Sequence, residues 1–161
     1  MGEVPAQRDV MALIEGGISG VLGTLSMSMV MLAARRAGLV GQLPPERITE
    51  AALDAAGQRR SREVQDALAV ILHLLFGAFL GSFFGLLHRR LRVPRGSALQ
   101  GIGYGLLVWS VNYKGWIPAL SILPPPERDR PDRPLIMALA HAVYGWTTAV
   151  VVDARERSAR E

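Results

Sequence analysis

Two histidines stand inside long apolar segments of the chain, and they are the side chains whose type and placement could carry chemistry. His73 and His141 each begin a His-x-x-x-Gly motif. An ionisable side chain within a membrane segment generally faces the interior of a helix bundle and needs a partner there. Imidazole also changes charge near neutral pH, which suits a proton or solute pathway. Two imidazoles at similar depth could instead bind a haem iron from both sides.

Three interpretations of the histidines therefore compete. The simplest is that each neutral imidazole forms a hydrogen bond to another helix, and we expect this one. Proton-linked or solute transport and electron transfer through a bis-histidine haem are the alternatives. No third ligand stands at helical spacing from either histidine, so we expect no metal site and no resident cofactor.

A Pro-Pro-Glu-Arg tetrapeptide precedes each histidine, at residues 44–47 and 125–128. Prolines suit the first turn of a helix, and a glutamate there suits the positive end of the helix dipole. The same charged residues could also bind a ligand, which makes them candidate binding residues together with the histidines: Glu46, Arg47, Glu127 and Arg128. The repeated order of motifs predicts a tandem duplication, with one unit at about residues 10–92 and the other at about 96–157.

The elements that must position these residues are four uncharged, apolar runs. They cover about residues 16–34, 67–87, 96–113 and 134–152 of a chain of 161 residues, half of them hydrophobic. A helix of about 20 apolar residues crosses the hydrocarbon layer of a bilayer. The sequence therefore predicts an all-α, polytopic membrane protein: a single domain of four transmembrane helices, built as two tandem hairpins that form a parallel repeat.

The long loop between the first two runs carries the pattern of a short amphipathic helix. It would run from Glu46 to Gly57, with Ile48, Ala52 and Ala56 on one face. Such a helix is expected to lie parallel to the membrane plane or to cap the bundle.

Glycines at four-residue spacing form stripes on the predicted helices. A stripe of small residues lets two helix backbones approach closely, which is how helices associate in lipid. We assign to helix packing the glycines Gly77, Gly81, Gly85, Gly101, Gly105 and Gly145.

Several functional classes are not indicated. The chain has no cysteine, which removes disulfides and thiolate chemistry. It contains no Gly-x-Ser-x-Gly, His-Glu-x-x-His or phosphate-binding glycine loop, so we expect no enzyme. Its pI of about 10.3 comes from arginines scattered over loops on both sides of the membrane, which favours contact with lipid headgroups over nucleic acid.

Three short segments carry a resemblance to a known family: Leu43-Pro44-Pro45, the Leu-Pro-Pro-Pro segment at residues 123–126, and the Ala-His-Ala-Val-Tyr-Gly-Trp segment at residues 140–146. In these the chain resembles the uncharacterised YagU-like bacterial inner-membrane proteins. The resemblance implies a four-helix protein of the bacterial cytoplasmic membrane with both termini in the cytoplasm. The positive loop from Arg89 to Arg95 favours the same orientation. The family contributes no catalytic residues.

These observations predict a small integral membrane protein that binds or assembles in the bacterial cytoplasmic membrane without catalysis. Its main partner is the lipid bilayer. A component of a small transporter or channel is the alternative, and because four helices enclose little space, transport would call for a homodimer formed through the glycine stripes.

Overall fold

The chain folds into helices. The computed structural model describes residues 5–91 and 98–158, and these residues contain no strand. The elements are α1 (Pro5–Arg36), α2 (Pro44–Ala55), α3 (Arg62–Leu91), α4 (Ala98–Val111), a π-helical turn (Asn112–Trp116), α5 (Ile117–Ala119), a 3₁₀ turn (Pro126–Arg128) and α6 (Asp132–Ser158). The predicted turn from Arg92 to Gly96 lies outside the described residues.

Three of the described helices are long and apolar enough to cross a membrane, and they indicate a membrane protein. They are the spans Ala6–Arg36, Arg62–Leu91 and Asp132–Ser158. The fourth predicted span differs, because α4 has only 14 residues as a regular α-helix. Three of the four predicted spans are therefore long, unbroken helices, whereas the fourth is an interrupted helix and stays a prediction.

The interruption after α4 has a local cause in Pro118. Proline lacks an N–H group, and its ring clashes with the carbonyl four residues earlier, which belongs to Lys114. The helix widens into a π-helical turn, and Gly115 leaves helical geometry with φ −99° and ψ −109°. The sequence predicts that Pro118 ends or kinks the helix, and the structure places the break in the turn before it.

The four long elements form two antiparallel pairs, α1 with α3 and α4 with α6. Glycines make both contacts. A Cβ atom added at Gly20 would lie 2.8 Å from the Cα of Gly81, and one added at Gly145 would lie 2.9 Å from the backbone nitrogen of Gly105. Both distances are too short for a real side chain, so only glycine permits this approach of the backbones.

Helices α1 and α6 join the two pairs. Gly23 of α1 lies against Tyr144 and Thr148 of α6, and the methionines Met31 and Met137 are buried beside them. The outer helices α3 and α4 meet through Tyr104, whose hydroxyl donates a hydrogen bond to the Leu80 carbonyl at 2.7 Å. Tyr104 also packs on the ring of Phe84, with 5.2 Å between centroids.

Charged side chains lie at the two ends of the bundle. At one end Asp9 pairs with Arg89 and with Arg90, the latter at 2.9 Å. At the other end Arg35 lies 2.6 Å from Glu46. Between these layers the outward surface is apolar and includes Leu22, Leu75, Phe79, Phe83 and Leu107. This distribution suits a bundle whose middle contacts hydrocarbon.

Helix α2 forms close to the predicted range but buries a different face. Thr49 is buried and Ile48 is half-buried, whereas Ala52 and Ala56 are exposed. Hydrophobicity alone predicts that the face with Ala52 and Ala56 is buried. Helix α2 packs on α3 instead, and this contact buries Thr49.

Candidate functional site

The bundle contains a cavity of about 500 Å³. It lies between α3 and α4 and on the side of α2, and α1 and α6 form its back wall. His73 and His141 both line it. The structure therefore brings together the two histidines that the sequence singled out, although 68 positions separate them in the chain.

His141 is oriented by its own helix. Its Nδ1 lies 2.7 Å from the carbonyl oxygen of Met137. A carbonyl can only accept, so the proton of the neutral imidazole is on Nδ1, and Nε2 carries a free lone pair. His73 makes no side-chain hydrogen bond within the described part of the chain, and it lies within electrostatic range of His141. Among the described residues, neither imidazole forms the expected hydrogen bond to another helix.

Tyrosines make the hydrogen bonds between helices instead. Tyr144 of α6 donates to the Gly77 carbonyl of α3 at 2.8 Å, and Tyr104 of α4 donates to the neighbouring Leu80 carbonyl. The sequence interpretation gave Tyr144 no role of its own. Its spacing of three residues from His141 was the available signal, because residues three apart share a helix face.

A second network missed by the sequence interpretation fixes the cavity wall at Tyr113. The Tyr113 hydroxyl donates to the Asp129 carboxylate, and Arg133 Nη1 lies 3.1 Å from the same carboxylate. The Asp129 side chain is only 2 % exposed and that of Arg133 only 11 % exposed. The spacing of four residues between an acid and a base hinted at this pair, but nothing local indicated its burial.

The charged residues of the two tetrapeptides lie outside the cavity lining. Glu46 accepts a hydrogen bond from the Leu43 backbone N–H at 3.1 Å and pairs with Arg35. Arg47 pairs with Glu50 at 3.0 Å. Glu127 and Arg128 are exposed in the 3₁₀ turn. From the first tetrapeptide it is Pro44 and Pro45 that line the cavity.

The predicted packing glycines all stand at helix contacts. A Cβ atom at any of them would meet a neighbouring helix: Gly77, Gly81 and Gly85 would meet α1, Gly101 and Gly105 would meet α6, and Gly145 would meet α4. At Gly77 the neighbour is the Thr24 side chain, and Thr24 lines the cavity. The stripe therefore also shapes the cavity wall.

The cavity opens sideways on the surface of the bundle. Leu72, Leu75 and Phe76 of α3 line it and are also 47 %, 61 % and 41 % exposed. They form its rim, which is apolar. No Asp, Glu, Lys or Arg of the described residues lines the cavity.

The arrangement suits binding of an uncharged molecule. A volume of about 500 Å³ is within the range of small-molecule sites, which are mostly apolar with a few polar groups that fix orientation. Within the described ranges, no group of three or more His, Asp or Glu side chains could hold a metal ion. The polar groups of the lining are hydroxyls, the Asn112 amide, the Trp116 indole N–H and the two imidazoles.

The chain belongs to DUF6789, a family of unknown function, whose match covers residues 10–160. The matched residues include the whole cavity lining described above. No curated protein and no solved structure matches the chain. The resemblance to YagU-like proteins is not tested by these comparisons and stays a prediction.

Proposed function

We propose that this protein is a non-enzymatic binding protein of the bacterial cytoplasmic membrane, which holds an apolar, membrane-dissolved molecule in the cavity between α3 and α4. The observation that carries the proposal is the apolar rim at Leu72, Leu75 and Phe76. If α3 spans the bilayer, this rim faces hydrocarbon and not water. A ligand dissolved in the membrane could then enter without crossing an aqueous phase.

We further propose that the chain crosses the membrane four times and not three. The helical path of α4 continues through the π-helical turn into α5 and ends at Ala119. At a rise of about 1.5 Å per residue this path is about 30 Å long, which matches the hydrocarbon layer. The similar glycine contacts in the pairs α1 with α3 and α4 with α6 support a tandem repeat of two hairpins. Four spans put both termini on one side, and the resemblance to YagU-like proteins favours the cytoplasm.

The test is to identify what the purified protein carries. We expect mass spectrometry of protein extracted in mild detergent to show one apolar molecule held in stoichiometric amount and released on unfolding. Ala69 lines the cavity and is 3 % exposed, so Ala69→Phe should fill the cavity and abolish retention. Ala67 is exposed on the same helix, and Ala67→Phe should retain the molecule.

A second variant protects this test against misfolding of Ala69→Phe. Leu72 stands at the rim and is 47 % exposed, so Leu72→Trp can narrow the entrance without disturbing the core. It should slow uptake of the molecule by emptied protein. A parent protein that carries nothing and takes up no apolar probe would overturn the proposal.

A bis-histidine haem stays the second candidate because both imidazoles line one cavity and His141 Nε2 is free. Haem carries two carboxylates, however, and no arginine or lysine of the described residues lines the cavity to pair with them. We therefore expect no Soret band in the absorption spectrum of protein purified from its own membrane. Transport stays the alternative prediction from the sequence, and flux of protons or small solutes into liposomes would test it.

A further inference from the structure

We infer that the ligand of the cavity is an uncharged lipid whose headgroup donates a hydrogen bond to His141 Nε2, that is, an apolar tail with a hydroxyl headgroup. This inference rests on the proposed function and names the class of molecule that the site would select. It is carried by the hydrogen-bond state of the polar side chains in the cavity lining.

Several donor protons of the cavity lining are already used, whereas the side chains of Asn112, His73 and Thr49 donate no hydrogen bond within the described part of the chain. The Thr24 hydroxyl donates to the Gly20 carbonyl at 2.8 Å, the Tyr144 hydroxyl to Gly77, and the Tyr113 hydroxyl to Asp129. Each of these oxygens keeps a lone pair that can accept. His141 adds a stronger acceptor, because its Nδ1–H is held by the Met137 carbonyl and its Nε2 is left without a proton. The cavity is therefore richer in acceptors than in donors.

The charge of the lining points the same way. A carboxylate or phosphate headgroup carries a negative charge and would need a cation beside it, and none of the described lining residues is Lys or Arg. A quaternary ammonium headgroup would need an acid, and the nearby Asp129 already pairs with Arg133 and Tyr113. A buried charge without a partner is costly. A neutral hydroxyl matches the free acceptors without that cost.

The rest of the lining fits a tail. Met27, Met31 and Met137 line the back of the cavity, and methionine adapts its shape to an irregular apolar neighbour. The rim at Leu75 and Phe76 is exposed, so a tail longer than the cavity can leave through it into the bilayer. The headgroup then lies beside His73 and His141, and the tail follows the apolar lining to the rim.

Quenching of Trp116 by brominated lipids tests the inference directly. Trp116 lines the cavity, and the chain has three tryptophans, so the double replacement Trp109→Phe, Trp146→Phe leaves Trp116 as the reporter. The probes are bromoalkanes of one chain length that carry an alcohol, a phenol, a carboxylate, a quaternary ammonium or no headgroup. They are added at neutral pH to the protein in bilayer nanodiscs. The alcohol and phenol arms separate the two sources of a hydroxyl.

We expect saturable quenching by the hydroxyl probes at a concentration about tenfold lower than for the plain bromoalkane, as one net hydrogen bond would give. In His141→Phe the hydroxyl probes should need the same concentration for saturable quenching as the plain bromoalkane. The concentration that the bromoalkane needs should not change. A protein with Trp146 as its only tryptophan, a residue that is 49 % exposed, should show linear quenching without saturation.

Two results would overturn the inference, and they differ in what they leave standing. Saturable quenching that is equal for all headgroups, or strongest for the carboxylate or the ammonium, overturns the hydroxyl assignment but supports an apolar binding site. Absence of saturable quenching by every probe overturns the proposed function as well.

Discussion

The two Pro-Pro-Glu-Arg segments lie at the same end of the bundle, yet they build different structures. Residues 44–47 begin the 12-residue helix α2, whereas residues 125–128 give only a three-residue 3₁₀ turn. In the first copy Glu46 accepts a hydrogen bond from the Leu43 N–H, which satisfies a free backbone donor at the helix start. The comparison teaches that the tetrapeptide can begin a helical turn but cannot extend it.

The residues that follow each tetrapeptide decide the outcome. After Arg47 the chain continues through Ile48 and Thr49 to four residues of good helix propensity, Glu50, Ala51, Ala52 and Leu53. After Arg128 it reaches Asp129, whose backbone is extended with φ −87° and ψ 172°, and then Pro131. Proline disfavours helical geometry in the residue before it, here Arg130, so the turn cannot continue into a helix.

This difference divides the work at the cavity between the two halves. Helix α2 is long enough to place Ile48 and Thr49 against the cavity. No described residue of the second tetrapeptide lines the cavity, but Asp129, which directly follows it, accepts a hydrogen bond from Tyr113 in the cavity wall. The first tetrapeptide begins a helix that covers part of the cavity, and the second precedes a residue that holds Tyr113 in place.

The largest expected effect concerns Asp129, the buried carboxylate directly after the second tetrapeptide. Asp129→Ala would leave the Arg133 guanidinium, which is 11 % exposed, without its partner. Removal of one member of a buried ion pair costs about 3–5 kcal/mol. Reversible unfolding in mixed micelles should show a loss of this size. Glu127→Ala, at an exposed position two residues away, should stay within about 0.5 kcal/mol of the parent, and equal losses for both variants would show that Asp129 is not a buried anchor.

The next effect compares two glycines of α4. A Cβ atom at Gly105 would overlap the His141 carbonyl of α6, while nothing lies within 4 Å of one at Gly103. Gly105→Ala should therefore destabilise the protein by about 1–3 kcal/mol through overpacking. Gly103→Ala should stabilise it by about 0.5–1 kcal/mol, because alanine favours the helix. Both are read from the same unfolding curves.

The corresponding change in the first pair is Gly81→Ala, which would place a Cβ atom 2.5 Å from the Cα of Gly20. A loss like that of Gly105→Ala would agree with similar contacts in the two halves. If Gly81→Ala and Gly105→Ala unfold like the parent, the close approach of the helices is not what holds either pair together.

The features that local chemistry controls could be predicted from the sequence. Gly38 follows α1 with φ +75°, a conformation that favours glycine and that is typical of a helix C-terminus. The prolines at residues 44 and 45 begin α2 as predicted. Of the four apolar runs that predicted transmembrane helices, three form long helices, each of which extends several residues beyond its run at one end or both. Each of these features depends on residues a few positions apart.

The features that depend on distant partners could not be predicted in this way. The sequence shows His88 only beside arginines near the end of an apolar run, but its side chain is 6 % exposed, stacks on Phe84 and has its Nε2 3.3 Å from Asp153 Oδ1. The burial of Asp129 depends on Tyr113, sixteen positions away. The candidate site was predicted in part for the same reason: the sequence marked the two histidines, but their shared cavity follows from how α1 and α6 join the pairs.

The smallest expected effect tests whether Glu46 explains why the first tetrapeptide begins a longer helix than the second. Glu46→Ala removes the hydrogen bond to the Leu43 N–H and the pair with Arg35, whose side chain is 43 % exposed. Loss of such a cap costs about 1 kcal/mol, and an exposed ion pair adds little. Because α2 lies over the cavity and not in the core of the bundle, this loss should appear as local opening. Hydrogen exchange of the α2 amides should become about fivefold faster, since about 1 kcal/mol corresponds to that factor, while the amides of α6 keep their rates.

If α2 and α6 exchange faster together, Glu46 contributes to global stability and not to the local closure of the cavity. If neither changes, the residues after Arg47 extend α2 without help from the cap.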